Sequence, residues 1–285
     1  MHAARAMAVE WNLPEVAVAA RSAIVHWAAR KGLIAAAISL DSLGLSPLYS
    51  DNGAPNERLN DILCRYDRIV SFLGGADETV SRRLGNLIGK RLVAIDPRPN
   101  EETIRVGRHI TMQWLASAGI ETPIKSDHLD LNPNRRSGPR TRQRAIVHPG
   151  SGGLAKCCPI ESTEALVGRL RVLEWDVWWM IGPDEVERFG QSFRRQLWRS
   201  TDVVYHEDIS DAADAVSEAD LYIGNDAGMT HVAAAGVPTV ALFGPTDPRV
   251  WKPLGPAVHV ATFPTHNTPI ESWVDQILAL PGIPT

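Results

Sequence analysis

Apolar residues fall into short compact runs separated by longer stretches in which apolar and polar positions mix at helical spacing, and the two kinds take turns. Residues 16–20, 35–40, 68–73 and 91–96 are runs rich in Val, Ile, Leu and Ala, short enough to be strands. Between them, residues 22–31, 57–66, 77–88 and 105–118 are expected to be helices, the first closed by Gly32 and the last by Gly119. An alanine-rich helix over residues 2–11 should stop at Asn12-Leu13-Pro14, because proline lacks the amide hydrogen and restricts the residue before it. Residues 41–56 hold Gly, Pro, Ser and Asn among scattered apolar positions and are expected to form a long surface loop.

Beyond residue 144 the alternation is cleaner. Strands are expected at 145–148, 176–181, 202–206, 221–224, 239–244 and 257–261, with helices at 161–174, 184–199, 211–219, 227–235 and 269–280. Strands that alternate with helices imply parallel βαβ units, and so an α/β fold. The break falls at 132–144, NPNRRSGPRTRQR, which holds five arginines and nothing apolar. It is read as an exposed linker between an N-terminal domain at 1–131 and a C-terminal domain at 145–285. Its other reading is a basic patch facing a phosphate or an anionic membrane surface. Two such halves leave a cleft at the carboxyl ends of their strands, where open parallel sheets bind ligands.

Composition removes several classes. With 285 residues, 22% charged and 44% apolar, the chain has room for a substantial core and no signature of disorder. A net charge of -4 gives no general case for nucleic-acid binding. No apolar run approaches the roughly 18 residues of a membrane span, and no secretory apolar core follows Met1. Three cysteines, of which Cys157 and Cys158 are neighbours, make neither a disulfide framework nor a metal spacing. A reducing cytoplasm fits this usage.

Candidate chemistry lies in three loops at strand ends of the second half. In residues 148–159, HPGSGGLAKCCP, Ser151, Gly152 and Gly153 can offer backbone amides to anionic oxygens, with Lys156 nearby as a cation. The loop does not match the Gly-Lys-Ser/Thr pattern of a P-loop. In residues 182–185, GPDE, Asp184 or Glu185 could take ribose hydroxyls or equally cap the next helix. The third loop starts where the apolar run 221–224 stops at Asn225-Asp226. Asp226 is expected to be the N-cap of the helix that follows, with Ala227 and Gly228 small enough to let a phosphate reach the backbone. His231, five residues after Asp226, can face the same ligand.

In their order and spacing these loops resemble glycosyltransferase family 9, the heptosyltransferase family of lipopolysaccharide core assembly. The resemblance rests on His148-Pro149-Gly150-Ser151 with Lys156 downstream, on Asp226-x-Gly228-x-x-His231, and on Phe243-Gly244-Pro245-Thr246, and it covers residues 145–280. It implies the GT-B architecture of two Rossmann-like domains with parallel sheets facing a cleft. The N-terminal domain would take a glycolipid or glycan acceptor, and the C-terminal domain a nucleoside diphosphate sugar, with ADP-heptose the family's case. Ser151, Gly152 and Lys156 would contact the donor diphosphate, and Asp226, Ala227, Gly228 and His231 would meet it at the helix start. Glu185 would hold the ribose. The expected reaction is inverting sugar transfer without a metal or other cofactor, by a cytoplasmic protein in peripheral contact with the inner face of the membrane.

Two departures stand out. Cys158 occupies a position where the family usually has tryptophan, which should change packing behind the loop more than chemistry. The opening strand and Gly-Asp loop that carry the family's proposed catalytic base have no counterpart, which leads to the expectation of a true start upstream of Met1. Asp41, Asp51 and Asp96 lie near loop boundaries and read as turn residues, so no catalytic residue is assigned. Two other classes fit the same features. One is a nucleotide-binding pseudoenzyme, and the other a different GT-B enzyme such as a nucleotide-sugar epimerase.

Overall fold

A computed structural model describes residues 1–50, 57–74, 78–124, 141–188, 202–281 and 283. The chain divides into two compact units, Met1–Lys125 and Ser126–Thr285. The expected linker lies largely outside the described residues, as does residue 189 onward of the helix expected at 184–199. Arg144 does not belong to a linker. It opens a strand, its Nε 3.1 Å from Asp176 Oδ2 and its guanidinium over the Trp178 ring.

The second unit is built on a six-stranded parallel sheet in the order β10-β9-β8-β5-β6-β7. Its strands are β5 (Arg144–His148), β6 (Asp176–Ile181), β7 (Val203–Tyr205), β8 (Leu221–Asn225), β9 (Thr239–Phe243) and β10 (Val258–Thr262). Side chains leave alternate faces of a strand, and here both faces are covered. Ala145, Val147, Val177, Trp179, Leu221, Ile223, Val240 and Leu242 pack on one side, beneath α7 (Ile160–Val172) and α12 (Ile270–Leu278). Ile146, Met180 and Tyr222 point the other way, toward α9 (Ile209–Ser217) and α10 (Gly228–Ala234). Two-sided burial is why β8 and β9 read as unbroken apolar runs in the sequence. The shorter α8 (Pro183–Arg188) and α11 (Pro248–Trp251) follow β6 and β9.

The sheet has one reversal of direction. From β5 the chain moves outward through β6 and β7, then returns to β8 on the other side of β5 and moves outward through β9 and β10. The carboxyl ends of β5 and β8 therefore splay their loops apart at a switch point, the place where such sheets bind ligands.

The first unit carries two parallel strand pairs, β1 (Ala17–Ala20) with β2 (Ala36–Ser39) and β3 (Ile69–Ser71) with β4 (Leu92–Ala94). Ile69 and Leu92 pack toward α3 (Glu57–Leu63) and α4 (Glu78–Ile88). Val70 and Val93 face α1 (His2–Glu10) and α6 (Ile110–Ser117). β1 is only half-buried rather than the buried strand its composition implies, and α2 (Ile24–Arg30) packs on β2. Two further expectations are corrected. The described part of 41–56 is not surface loop: it forms 3₁₀ turns at Leu40–Leu43 and Ser46–Tyr49 whose Leu43 and Leu48 enter the core. The helix expected at 105–118 is two, α5 (Glu101–Val106) and α6, divided at Gly107, whose φ of 64° ends the first. Asn100 caps α5 through the Thr103 amide, a signal visible in the sequence five residues before the expected start.

Candidate donor site

The loops after β5 and β8 are joined through Asn225 and Asp226. Asn225 is buried, donates from Nδ2 to the Pro149 carbonyl at 2.7 Å, and accepts the Cys158 amide on Oδ1 at 3.0 Å. One amide side chain thereby fixes both ends of the loop 149–158. Its polarity at the end of an apolar run is the only sequence signal of that role.

Asp226 is the hub. Its Oδ2 receives the Lys156 ammonium at 2.8 Å and the Thr246 hydroxyl at 2.8 Å, while its backbone carbonyl accepts Ser151 Oγ at 2.7 Å. The carboxylate is nearly buried, with 8% of its side chain exposed against 39% for Lys156. A buried carboxylate that holds a half-exposed ammonium fixes the cation's position and leaves its outer side able to meet a second anion. Asp226 is therefore not the N-cap of the next helix. Ala227 occupies that position in extended geometry, with no side-chain cap. Asp226 is drawn instead to the cation of the neighbouring loop.

Thus Ser151, Lys156 and Asp226 are in direct contact, and Thr246, absent from the sequence expectations as a site residue, joins them. Gly152 and Gly228 are exposed on the same two loops, with nothing within 4 Å of where a side chain would start. Ala227 is half-buried between Asp226 and α10, and His231 is exposed on the first turn of that helix. The first amides of a helix lack intrahelical acceptors, so this end of α10 carries partial positive charge. Cys158 sits in the core behind the loop, where burial pushes its thiol pKa up to about 12.

Glu185 belongs to an adjacent cluster. Its Oε1 is 3.4 Å from His148 Nε2, and its Oε2 accepts the Gly182 amide at 2.7 Å. Burial by itself would raise its pKa. The hydrogen bond and charge of His148, with the Gly182 amide, override that and leave the carboxyl below its ordinary value. A side chain at Gly150 would start 1.8 Å from Glu185 Oε1, so glycine is what lets the carboxylate lie on this loop.

In the first unit Asp41 pairs with Arg21 at 3.1 Å, both side chains mostly exposed, and Asp96 accepts the Arg98 amide within its own turn. Asp51 lies outside the described residues.

A two-unit α/β chain, with its cation and small-residue loops at the switch point of a fully parallel sheet, has the GT-B type of fold. Within that class the chain belongs to glycosyltransferase family 9 (heptosyltransferase), whose sequence profile matches residues 107–275. No curated protein matches the chain. Among solved structures, ADP-heptose lps heptosyltransferase II of E. coli is similar at a TM-score of 0.64 and 17% identity, covering 98% of this chain and 92% of that one. The glycosyl transferase family 9 protein from Veillonella parvula is similar at a TM-score of 0.58 and 15% identity, covering 98% and 92%. E. coli heptosyltransferase WaaC with ADP-2-deoxy-2-fluoro heptose is similar at 0.58 and 16%, covering 97% and 94%. At these identities the likeness is one of fold.

Proposed function

We propose that the chain binds a nucleoside diphosphate sugar at the β5/β8 switch point and transfers its sugar, with inversion, to a hydroxyl of a glycan such as the lipopolysaccharide core. The observation that carries this reading is the convergence of Ser151, Lys156 and Thr246 on Asp226 beside the exposed glycines 152 and 228. The diphosphate lies between Lys156, the amides of residues 151–153 and those at the start of α10. As the anomeric bond breaks, negative charge grows on the departing diphosphate. A cation already fixed by a buried carboxylate meets that charge without reorganising. His231 faces the same group, and Glu185 accepts from the ribose hydroxyls. These groups supply the leaving-group stabilisation, and the reaction so drawn calls for no metal or other cofactor. The solved E. coli heptosyltransferase WaaC carries ADP in one structure and ADP-2-deoxy-2-fluoro heptose in another, which favours ADP-heptose as the donor. A glycolipid acceptor would bring the protein to the inner face of the cytoplasmic membrane as a peripheral visitor. Among the described residues no helix is long and apolar enough to cross it.

The test is nucleoside diphosphate release from ADP-heptose with and without a core-oligosaccharide acceptor, for the parent chain and Lys156→Ala. Acceptor-dependent release, reduced about 100-fold or more by the substitution, is the expected result. Acceptor-independent hydrolysis or isomerisation of the donor would point instead to an epimerase-type enzyme, and binding without turnover to a pseudoenzyme.

A further inference from the structure

The contact between Glu185 and His148 is the end of a longer chain. The second ring nitrogen of His148, Nδ1, is 3.1 Å from Tyr222 Oη, and Tyr222 is fully buried. Tyr222–His148–Glu185 therefore runs from β8 through β5 to α8, the helix that follows β6, across three neighbouring strands. Donor and acceptor capacities allow one continuous arrangement of its hydrogens. Burial, aided by the nearby Glu185 charge and opposed by the Thr230 hydroxyl, raises the pKa of the Tyr222 phenol, so it keeps its proton. A protonated phenol can donate to Nδ1, which leaves the ring hydrogen on Nε2, facing a carboxylate that can only accept. The Glu185 carboxylate then receives His148 on Oε1, the Gly182 amide on Oε2 and its own backbone amide, three of the roughly four acceptor directions a carboxylate has. Such a carboxylate is held in one orientation with about one acceptor direction to spare, which suits a hydroxyl.

We propose that His148, oriented by Tyr222, is a positioning residue that aims the Glu185 carboxylate at a ribose hydroxyl of the nucleotide. The inference rests on the nucleotide-donor reading above. A brace between strands would also explain the contacts, but a brace has no need of an ionised carboxylate with acceptor capacity left over. Around Glu185 stand His148 from β5, Tyr222 behind it on β8, the Gly182 amide, the neighbouring acid Asp184 on α8, and the backbone carbonyl of His206 beside Gly182. Without His148 only backbone amides oppose burial, the carboxyl titrates at higher pH, and on protonation one oxygen becomes a donor. The sign follows directly. A carboxyl whose pKa lies below its ordinary value of 4.5 is ionised through the neutral range, and its acceptor role is lost only as pH falls through the depressed value. Removing His148 moves that loss upward.

The test is calorimetric titration of the full chain with ADP, GDP, UDP and 2′-deoxy-ADP between pH 4.5 and 8, for the parent, His148→Leu, His148→Gln, Tyr222→Phe and Glu185→Gln. His148→Leu should weaken ribonucleotide binding about tenfold at neutral pH, the loss of a hydrogen bond to a charged group, and shift its acid limb to higher pH. His148→Gln, whose amide can donate to the same oxygen, should recover much of both, with Tyr222→Phe falling between. These last two keep the shape of the site and decide the matter if His148→Leu does not fold. 2′-Deoxy-ADP, with one hydroxyl fewer, should bind the parent more weakly and respond less to every substitution. Unchanged acid limbs and an unchanged ratio of ADP to 2′-deoxy-ADP affinity in folded variants would overturn the positioning role while leaving the donor reading intact. A parent chain that binds none of the nucleotides would overturn both.

Discussion

At the scale of single residues, Asn225 and Asp226 divide the work at the switch point. Asp226 serves charge: it sets the position of Lys156 and takes Thr246 as well. Asn225 serves geometry, satisfying a carbonyl and an amide at opposite ends of the same loop. A buried amide with bonds on both its oxygen and its nitrogen is costly to remove, since each stranded backbone group is left without water. Asn225→Ala should lower unfolding free energy by about 2–6 kcal/mol, because it strands two buried groups at roughly 1–3 kcal/mol each. Urea denaturation at constant m-value measures it. A change below ~0.5 kcal/mol would mean that the loop holds its shape without Asn225. The motif residues Ser151, Gly152, Lys156, Asp226 and Gly228 were legible because their spacing carries the family resemblance. Asn225, Tyr222 and Thr246 were not, because their roles consist of partners 20 to 76 residues away, which no local pattern encodes.

At the scale of elements, legibility followed burial. β5, β6, β8 and β9 are covered on both faces, so each is a continuous apolar run with sharp ends, and the sequence boundaries fall within one or two residues of the real ones. The region 41–56 misled because Gly, Pro and Ser mark turns without saying whether the turns are covered. Leu43 and Leu48 alternate with those residues yet pack against Leu59 and Leu84. Leu48→Ala should therefore cost about 2–5 kcal/mol, the range for emptying a core site, where a surface-loop leucine would cost about 0.5 kcal/mol or less. Thermal or urea unfolding separates these values. The helix at 105–118 misled for a different reason. Residues 101–118 keep a helical composition throughout, and only the left-handed backbone at Gly107, followed by the new N-cap His109, interrupts the hydrogen-bond ladder.

At the scale of the whole molecule, the two units differ in how much the sequence says about each. The second unit closes a six-stranded sheet and a reversal point around one site, and its motifs, fold and geometry agree. The first unit, with its two strand pairs, carries Asp41 and Asp96 in exposed turns and shows no comparable convergence among its described residues. The central claim is thus that the β5/β8 switch point holds a nucleoside diphosphate. Thermal unfolding of the 285-residue chain against ADP, GDP, UDP and inorganic phosphate, repeated with Lys156→Ala and Asp226→Asn, tests it most directly. One diphosphate present at about 100 times its dissociation constant should add about 2.7 kcal/mol of stability to the parent and much less to either folded variant. Equal stabilisation of the parent and both variants, or none of the parent by any nucleotide, would contradict it.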